Sequence, residues 1–209
     1  MKSKKIVVPA MLIAISVVLS FIQLFQLPFG GSITPASMMP IVITAFLFGT
    51  KRGLLSAFAY SLLQMIIGFK TISAFFLPGE SQMNIVSAIC VCIMDYVLAY
   101  TVLGFGGIFK NKIRSNTISI TLGTILALGL RYIVHIISGT IFFGAWAEWF
   151  FSQEGFYSIG TAIINNFSGT MLSVIYSVFY NGLYMIPEII ITAIATPFVY
   201  NMLKKSKAV

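Results

Sequence analysis

Charge is what this 209-residue chain has least of: 9% of its residues are Asp, Glu, Lys or Arg, against 58% hydrophobic. A soluble domain carries about 25% charged residues. So few cannot cover a water-facing surface, which excludes a soluble enzyme. Histidine occurs once and cysteine twice, leaving a metal site short of the three or four ligands it needs. No metal or other cofactor is expected. Cys90 and Cys92 stand in an apolar run. Residues two apart on a helix point about 200° from each other, so the pair suits neither a disulfide nor a shared ion. No GxxxxGK(S/T) motif occurs, so any ATP hydrolysis that drives this protein belongs to another chain. No repeat of fixed period is visible, and an inverted-repeat transporter finds no support.

What is there is apolar and segmented. Mean hydropathy is +0.98, and the net charge of +8 comes from 13 basic against 5 acidic residues. Eleven of the basic residues fall in four clusters: Lys2, Lys4 and Lys5; Lys51 and Arg52; Lys110, Lys112 and Arg114; Lys204, Lys205 and Lys207. They punctuate apolar stretches rather than forming a stripe, so they read as a topology signal and not as a nucleic-acid surface. The N-terminus resembles a signal peptide, yet no small-x-small cleavage site precedes a polar region. It reads as an uncleaved first span.

A membrane helix needs about 20 apolar residues. Spans are predicted over residues 6–24, 35–49, 53–69, 85–108, 117–143 and 172–203. The second is short, which suggests a tilted or incomplete crossing. The last is long and contains Pro187, predicting a tilt or kink there. The Gly/Pro stretch 27–34, the polar segment around Glu80 and the segment 145–169 read as loops. The last of these is expected to carry a short interfacial helix with Trp146 and Trp149 at headgroup level. Every second loop is basic, while the others hold Glu80, Glu148 and Glu154. The expected fold is one all-α domain over 1–209, an integral membrane protein of six helices with both termini cytoplasmic, in the cell membrane.

Ionisable groups inside such spans are costly and mark functional sites by default. Here they are Asp95, Arg131, His135 and Glu188. At about 1.5 Å per residue, Asp95 lies roughly 15 Å from the outer start of its span, His135 roughly 12 Å from its outer end, and Asn181 roughly 14 Å below Leu172. Three polar groups at one depth imply a pocket open to the outside. Arg131, His135, Ser138 and Gly139 share a helix face by their spacing, and Gly139 offers close approach to something flat. Phe142 or Phe143 lies a turn further out, and Tyr176 and Tyr180 are four apart beside Asn181. Carboxylate, imidazole, amide and tyrosines together suit a flat, polar, cationic heterocycle. Competing readings exist. Asp95 could pair with Arg131 as a structural ion pair, Glu188 could cap a helix below a kink, and the tyrosines could be packing or belt residues. Ser138 or Ser168 with His135 is a weak case for a membrane-embedded hydrolase. Ala10 and Ala14 form a small-xxx-small pair that serves either packing within the chain or docking to a partner.

The segments RYIVHIISGTIFFGAWA (131–147), MDYVLAY (94–100), YSVFYNGLYMIPE (176–188) and PFGGSITPASMMPI (28–41) resemble the thiamine-specific S component of energy-coupling-factor (ECF) vitamin transporters, and the resemblance runs over nearly the whole chain. It implies a binding subunit, not an enzyme, with six helices. Its implied partners are thiamine, the lipid bilayer, a membrane coupling protein and two cytoplasmic ATPases, together forming an ECF-type ABC importer. Position by position, it implies ligand contacts from Asp95, Tyr96, His135, Gly139, Phe143, Tyr176 and Asn181, with Phe29 as a further aromatic. It also makes Ala10 and Ala14 the docking motif for the coupling protein. Asp95 replaces a Glu found in some relatives, and Phe143 a Trp. The chemistry is consistent: thiamine's thiazolium is a fixed cation that donates no hydrogen bond, so a site must offer π faces and a carboxylate. An outer Lys/Arg cluster for a phosphate is lacking, which favours free thiamine over its diphosphate. Alternatives are an S component for riboflavin or a pyridoxine-like vitamin, a membrane-embedded enzyme, or an assembly protein without a small ligand.

Overall fold

The computed structural model describes residues 4–27 and 30–206; Lys2, Phe29 and Lys207 lie outside the described residues. Helix α1 (Lys4–Ser20) buries Pro9, Leu12, Ser16 and Ser20 along one stripe. Ala10 and Ala14 are exposed on its other side. Two-residue strands follow, β1 (Phe25–Gln26) and β2 (Ser32–Ile33), paired antiparallel with Phe25 opposite Ile33. The sequence reads this stretch only as a loop, because two residues are too few to show an alternating pattern.

Helix α2 (Met39–Phe48) has ten residues, and Pro40 through Phe46 are all buried. At about 15 Å it is half as long as the hydrocarbon core is thick, in line with the expectation of a short second segment. Helix α3 (Thr50–Ile67) bends by 69° at Gly68 into α4 (Phe69–Phe76). The bend places Gly68 so close to Tyr96 that a Cβ there would stand 2.6 Å from the phenolic oxygen. The sequence suggests loop soon after residue 69; the structure continues as helix.

Helix α5 (Ile85–Gly107) starts at Asn84, whose side chain accepts from the Ser87 amide at 2.9 Å. Its middle, Cys92–Leu98, is a wide π turn and its end, Val102–Gly107, a tight 3₁₀ turn. In the basic loop beyond it, Lys110 Nζ donates to the Leu47 carbonyl at 2.6 Å and sits over the Phe46 ring. A cation thereby satisfies an orphan carbonyl at the C-terminus of α2. Helix α6 (Asn116–Phe142) is followed by a 3₁₀ turn at Gly144–Trp146 and by α7 (Ala147–Phe151), α8 (Tyr157–Asn166) and α9 (Gly169–Lys205). Helix α9 runs unbroken through Pro187 and Pro197. The expected outer loop is therefore largely helical: besides the short helix carrying Trp149 it contains α8, which the sequence does not announce.

The surface is inverted relative to a soluble protein. Ile85, Leu55, Ile194 and Phe198 are 67–71% exposed, while Thr44, Ser138, Ser177, Glu188, Thr192 and Thr196 are buried. Among the described residues, α5, α6 and α9 are long and apolar enough to cross a membrane, and the bent pair α3–α4 makes a fourth.

Candidate functional site

The C-terminal half of α6 and the N-terminal half of α9 flank a cavity of about 330 Å³, closed on the other sides by the α3–α4 bend, the π turn of α5 and the β hairpin. All seven positions singled out as ligand contacts line it: Asp95, Tyr96, His135, Gly139, Phe143, Tyr176 and Asn181. Neighbouring residues on a regular α-helix diverge by about 100°. The extra residue in the wide turn lessens that divergence, so Asp95 and Tyr96 both reach the cavity. Such wide turns are frequent at functional sites.

Polar side chains are arranged as a chain. Arg131 Nε donates to His135 Nε2 at 3.2 Å, and His135 Nδ1 lies 2.9 Å from Asp95 Oδ1. Ser138 Oγ donates to Asp95 Oδ2 at 2.8 Å. The Arg131 guanidinium stacks 4.0 Å from the centroid of Tyr100, and Nη1 meets the sulfur of Met38. The direct Asp95–Arg131 pair is not made: Arg131 reaches the carboxylate only through the imidazole. The order also excludes a hydrolase triad, because a nucleophilic serine must face the imidazole nitrogen that the carboxylate does not occupy. Here Ser138 bonds the carboxylate itself.

Two of these positions also join the helices. Asn181 Nδ2 donates to Ser177 O at 2.9 Å and His135 O at 3.3 Å, and its Oδ1 accepts from Tyr184 Oη at 2.8 Å. The bond to the His135 carbonyl clamps α9 to α6, and the side chain also borders the cavity. Gly139 lines the cavity and also sits at a close helix contact. A Cβ there would collide with Ser177 Oγ and stand 3.2 Å from Asn181 Nδ2, so the missing side chain is what lets α9 close on α6. Glu188 is no helix cap. It is 2% exposed, lines the cavity, and accepts from the Thr34 amide at 3.2 Å and from the Thr34 hydroxyl, tying α9 to the chain just after β2. Tyr180 Oη donates to Gly30 O at 3.1 Å in the same covering hairpin.

Tyr176 and Tyr180 pack at 5.6 Å between centroids with Phe150 against both, and Phe143 stands edge-on to Phe75 at 6.0 Å. Phe143, Phe75, Lys70 and Thr71 also border an adjoining cavity that includes Phe142 and Trp146. The sequence reading missed Thr34, Gln64, Lys70, Thr71, Tyr100 and Tyr184, all of which line the main cavity. Gln64 had a signal, an amide inside an apolar run; the tyrosines were indistinguishable from packing residues. Among the described residues no group of three His, Cys, Asp or Glu could hold a metal ion.

A helical bundle, apolar outside and lined within by a polar, aromatic cavity, defines an integral membrane protein with an internal polar chamber. The family described as thiamine transporter protein (Thia_YuaJ) matches residues 6–165, and the chain belongs to that family. It is 29% identical over 214 residues to the thiamine transporter ThiT of Bacillus subtilis (strain 168), a match covering 95% of this chain and 93% of that protein. Its fold matches a solved structure of ThiT from Listeria monocytogenes with a TM-score of 0.66 and 22% identity, covering 98% of this chain and 97% of that one. The protein is a transporter rather than an enzyme, and a multi-pass protein of the cell membrane.

Proposed function

We propose that this chain is the thiamine-capturing subunit of an ECF-type importer, taking free thiamine from the outside into the α5–α6–α9 cavity. One observation carries the reading. The ionisable groups of the cavity floor are two carboxylates, Asp95 and Glu188, against one guanidinium, Arg131; Lys70 belongs to the exposed rim. With the imidazole neutral and both carboxylates ionised, the floor holds one net negative charge, which a fixed monocation balances. Tyr176, Tyr96 and Phe143 supply π faces for its rings, and Asp95 keeps lone pairs for an exocyclic amino group. The volume is at the lower end of the roughly 300–1,000 Å³ typical of ligand pockets.

Inward delivery follows docking of α1 through Ala10 and Ala14 to a membrane coupling protein, with ATP hydrolysis in two partner ATPases. The outward exposure of both alanines supports that role. Six crossings with both termini inside are supported by the alternating basic clusters, and by the contact from Lys110 to Leu47, which brings the basic loop beyond α5 and the α2–α3 turn to one end of the bundle. The test is tryptophan fluorescence of the purified chain titrated with thiamine and with riboflavin. Trp146 stands beside Phe143 on the adjoining cavity, so thiamine should quench saturably and riboflavin should not. A silent thiamine titration, together with no retention of radiolabelled thiamine, removes the reading.

A further inference from the structure

Arginine cannot act as an acceptor and keeps its charge throughout the accessible pH range. Since Arg131 Nε donates to His135 Nε2 at 3.2 Å, that nitrogen presents its lone pair and carries no proton. The imidazole proton therefore sits on Nδ1, facing Asp95 Oδ1 at 2.9 Å. We propose that Arg131 is a positioning residue: it locks the chain's single histidine in the neutral Nδ1–H tautomer and so makes His135 an obligate donor to Asp95, aiming the carboxylate into the cavity. Arg131 acts through His135 and needs no contact with the ligand itself.

The lock is built on both sides. Arg131 is held by its stack on Tyr100 and by Met38 from the chain before α2, and is 8% exposed. The His135 ring is held by Tyr184, edge-on at 5.9 Å, and its backbone carbonyl by Asn181. The charged and titratable groups that face the ring are Asp95 from α5, Arg131 on its own helix and Tyr184 from α9, while Tyr60 from α3, Tyr100 from α5, and Tyr184 and Glu188 from α9 surround Arg131. None besides Arg131 is hydrogen-bonded to Nε2. Were the proton on Nε2, two donors would face each other there, and Nδ1 would turn a lone pair toward the Asp95 carboxylate. Both contacts would become repulsive, and Asp95 would be free to swing.

His135 is the only histidine in the sequence, so ¹⁵N-histidine labelling gives a one-residue spectrum. Long-range ¹H–¹⁵N correlation on the detergent-purified chain without ligand should show a protonated Nδ1 and a bare Nε2; a protonated Nε2 overturns the proposal. Arg131→Met should release the ring to the other tautomer or a mixture, and thiamine affinity should change less than in Asp95→Asn because loss of the neighbouring cation offsets the lost aim of the carboxylate. An unchanged tautomer in Arg131→Met also overturns it. Should Arg131→Met fail to fold, Asp95→Ala decides: control by Arg131 keeps Nδ1–H, whereas a move to Nε2–H assigns control to the carboxylate. The inference rests on the thiamine reading only for its effect on affinity. A ligand-free Nδ1–H spectrum with no thiamine binding sinks that reading and leaves the lock standing.

Discussion

Asp95→Asn separates a cation site from a structural carboxylate more cleanly than any other change. The amide has nearly the same shape. Its Oδ1 can still accept from His135 Nδ1, and the Ser138 hydroxyl, now 2.8 Å from Oδ2, can rotate to accept from an NH₂ group instead. The fold should therefore lose no more than about 1 kcal/mol, or roughly 2–4 °C in melting temperature for a chain of this size. Charge is another matter. The Asp95 side chain is 19% exposed, so an effective dielectric near 20 applies, and a unit charge about 4 Å away interacts with about 4 kcal/mol. Residual solvent brings the expected loss to about 2–4 kcal/mol, or between about 30-fold and 1,000-fold in Kd at 1.4 kcal/mol per decade.

The assay is equilibrium binding of thiamine and of a neutral aminopyrimidine lacking the thiazolium, with thermal unfolding of the ligand-free protein run alongside. Thiamine should lose the larger factor, the neutral fragment several-fold at most. Equal losses for both ligands, or a collapse in melting temperature without a selective loss of thiamine, would show that Asp95 is a structural residue and that the cation is recognised elsewhere.

Gly139→Ala should force α6 and α9 apart at the Asn181 clamp, costing about 1–3 kcal/mol as overpacking does, with a matching fall in melting temperature; a neutral result would mean the clamp has slack. Replacing Ala10 and Ala14 by Leu should abolish thiamine uptake in cells that supply the partner subunits while leaving binding by the purified chain unchanged, because both side chains face outward from α1. An equal fall in binding would make the pair a packing feature.

How much of this was legible beforehand follows from what each signal contains. Charged residues stand out inside apolar runs, so Asp95, Arg131, His135 and Glu188 could be found by inspection; the depth arithmetic grouped Asp95, His135 and Asn181, and all three line one cavity. Helical spacing correctly placed Arg131, His135 and Ser138 on one face of α6. What spacing cannot carry is the register between helices. Whether Asp95 meets Arg131 or His135 depends on how α5 is rotated, and that rotation is set by a wide turn at Cys92–Leu98 with no residue signature of its own. Pro187 drew attention to a kink, whereas the consequential residue there was its neighbour Glu188, reached by Thr34 from 154 residues away. Gly139 shows the same limit: a glycine announces a close approach without naming the approaching group, and Ser177 is one such group here.

The hydrogen-bond commitments of the two carboxylates lower the cost of holding negative charge beside a partly enclosed cavity. An isolated buried carboxylate is costly because nothing replaces its hydration. Asp95 receives His135 and Ser138, one on each oxygen, and Glu188 receives the amide and hydroxyl of Thr34. Both carboxylates thus have fixed protein donors in the absence of ligand, and when ionised each oxygen still has a lone pair left over. A ligand bound there need not supply the first hydrogen bond to either group. It supplies the missing charge, and a thiazolium, which has charge to give and no proton to donate, is suited to a site whose first donors are already in place.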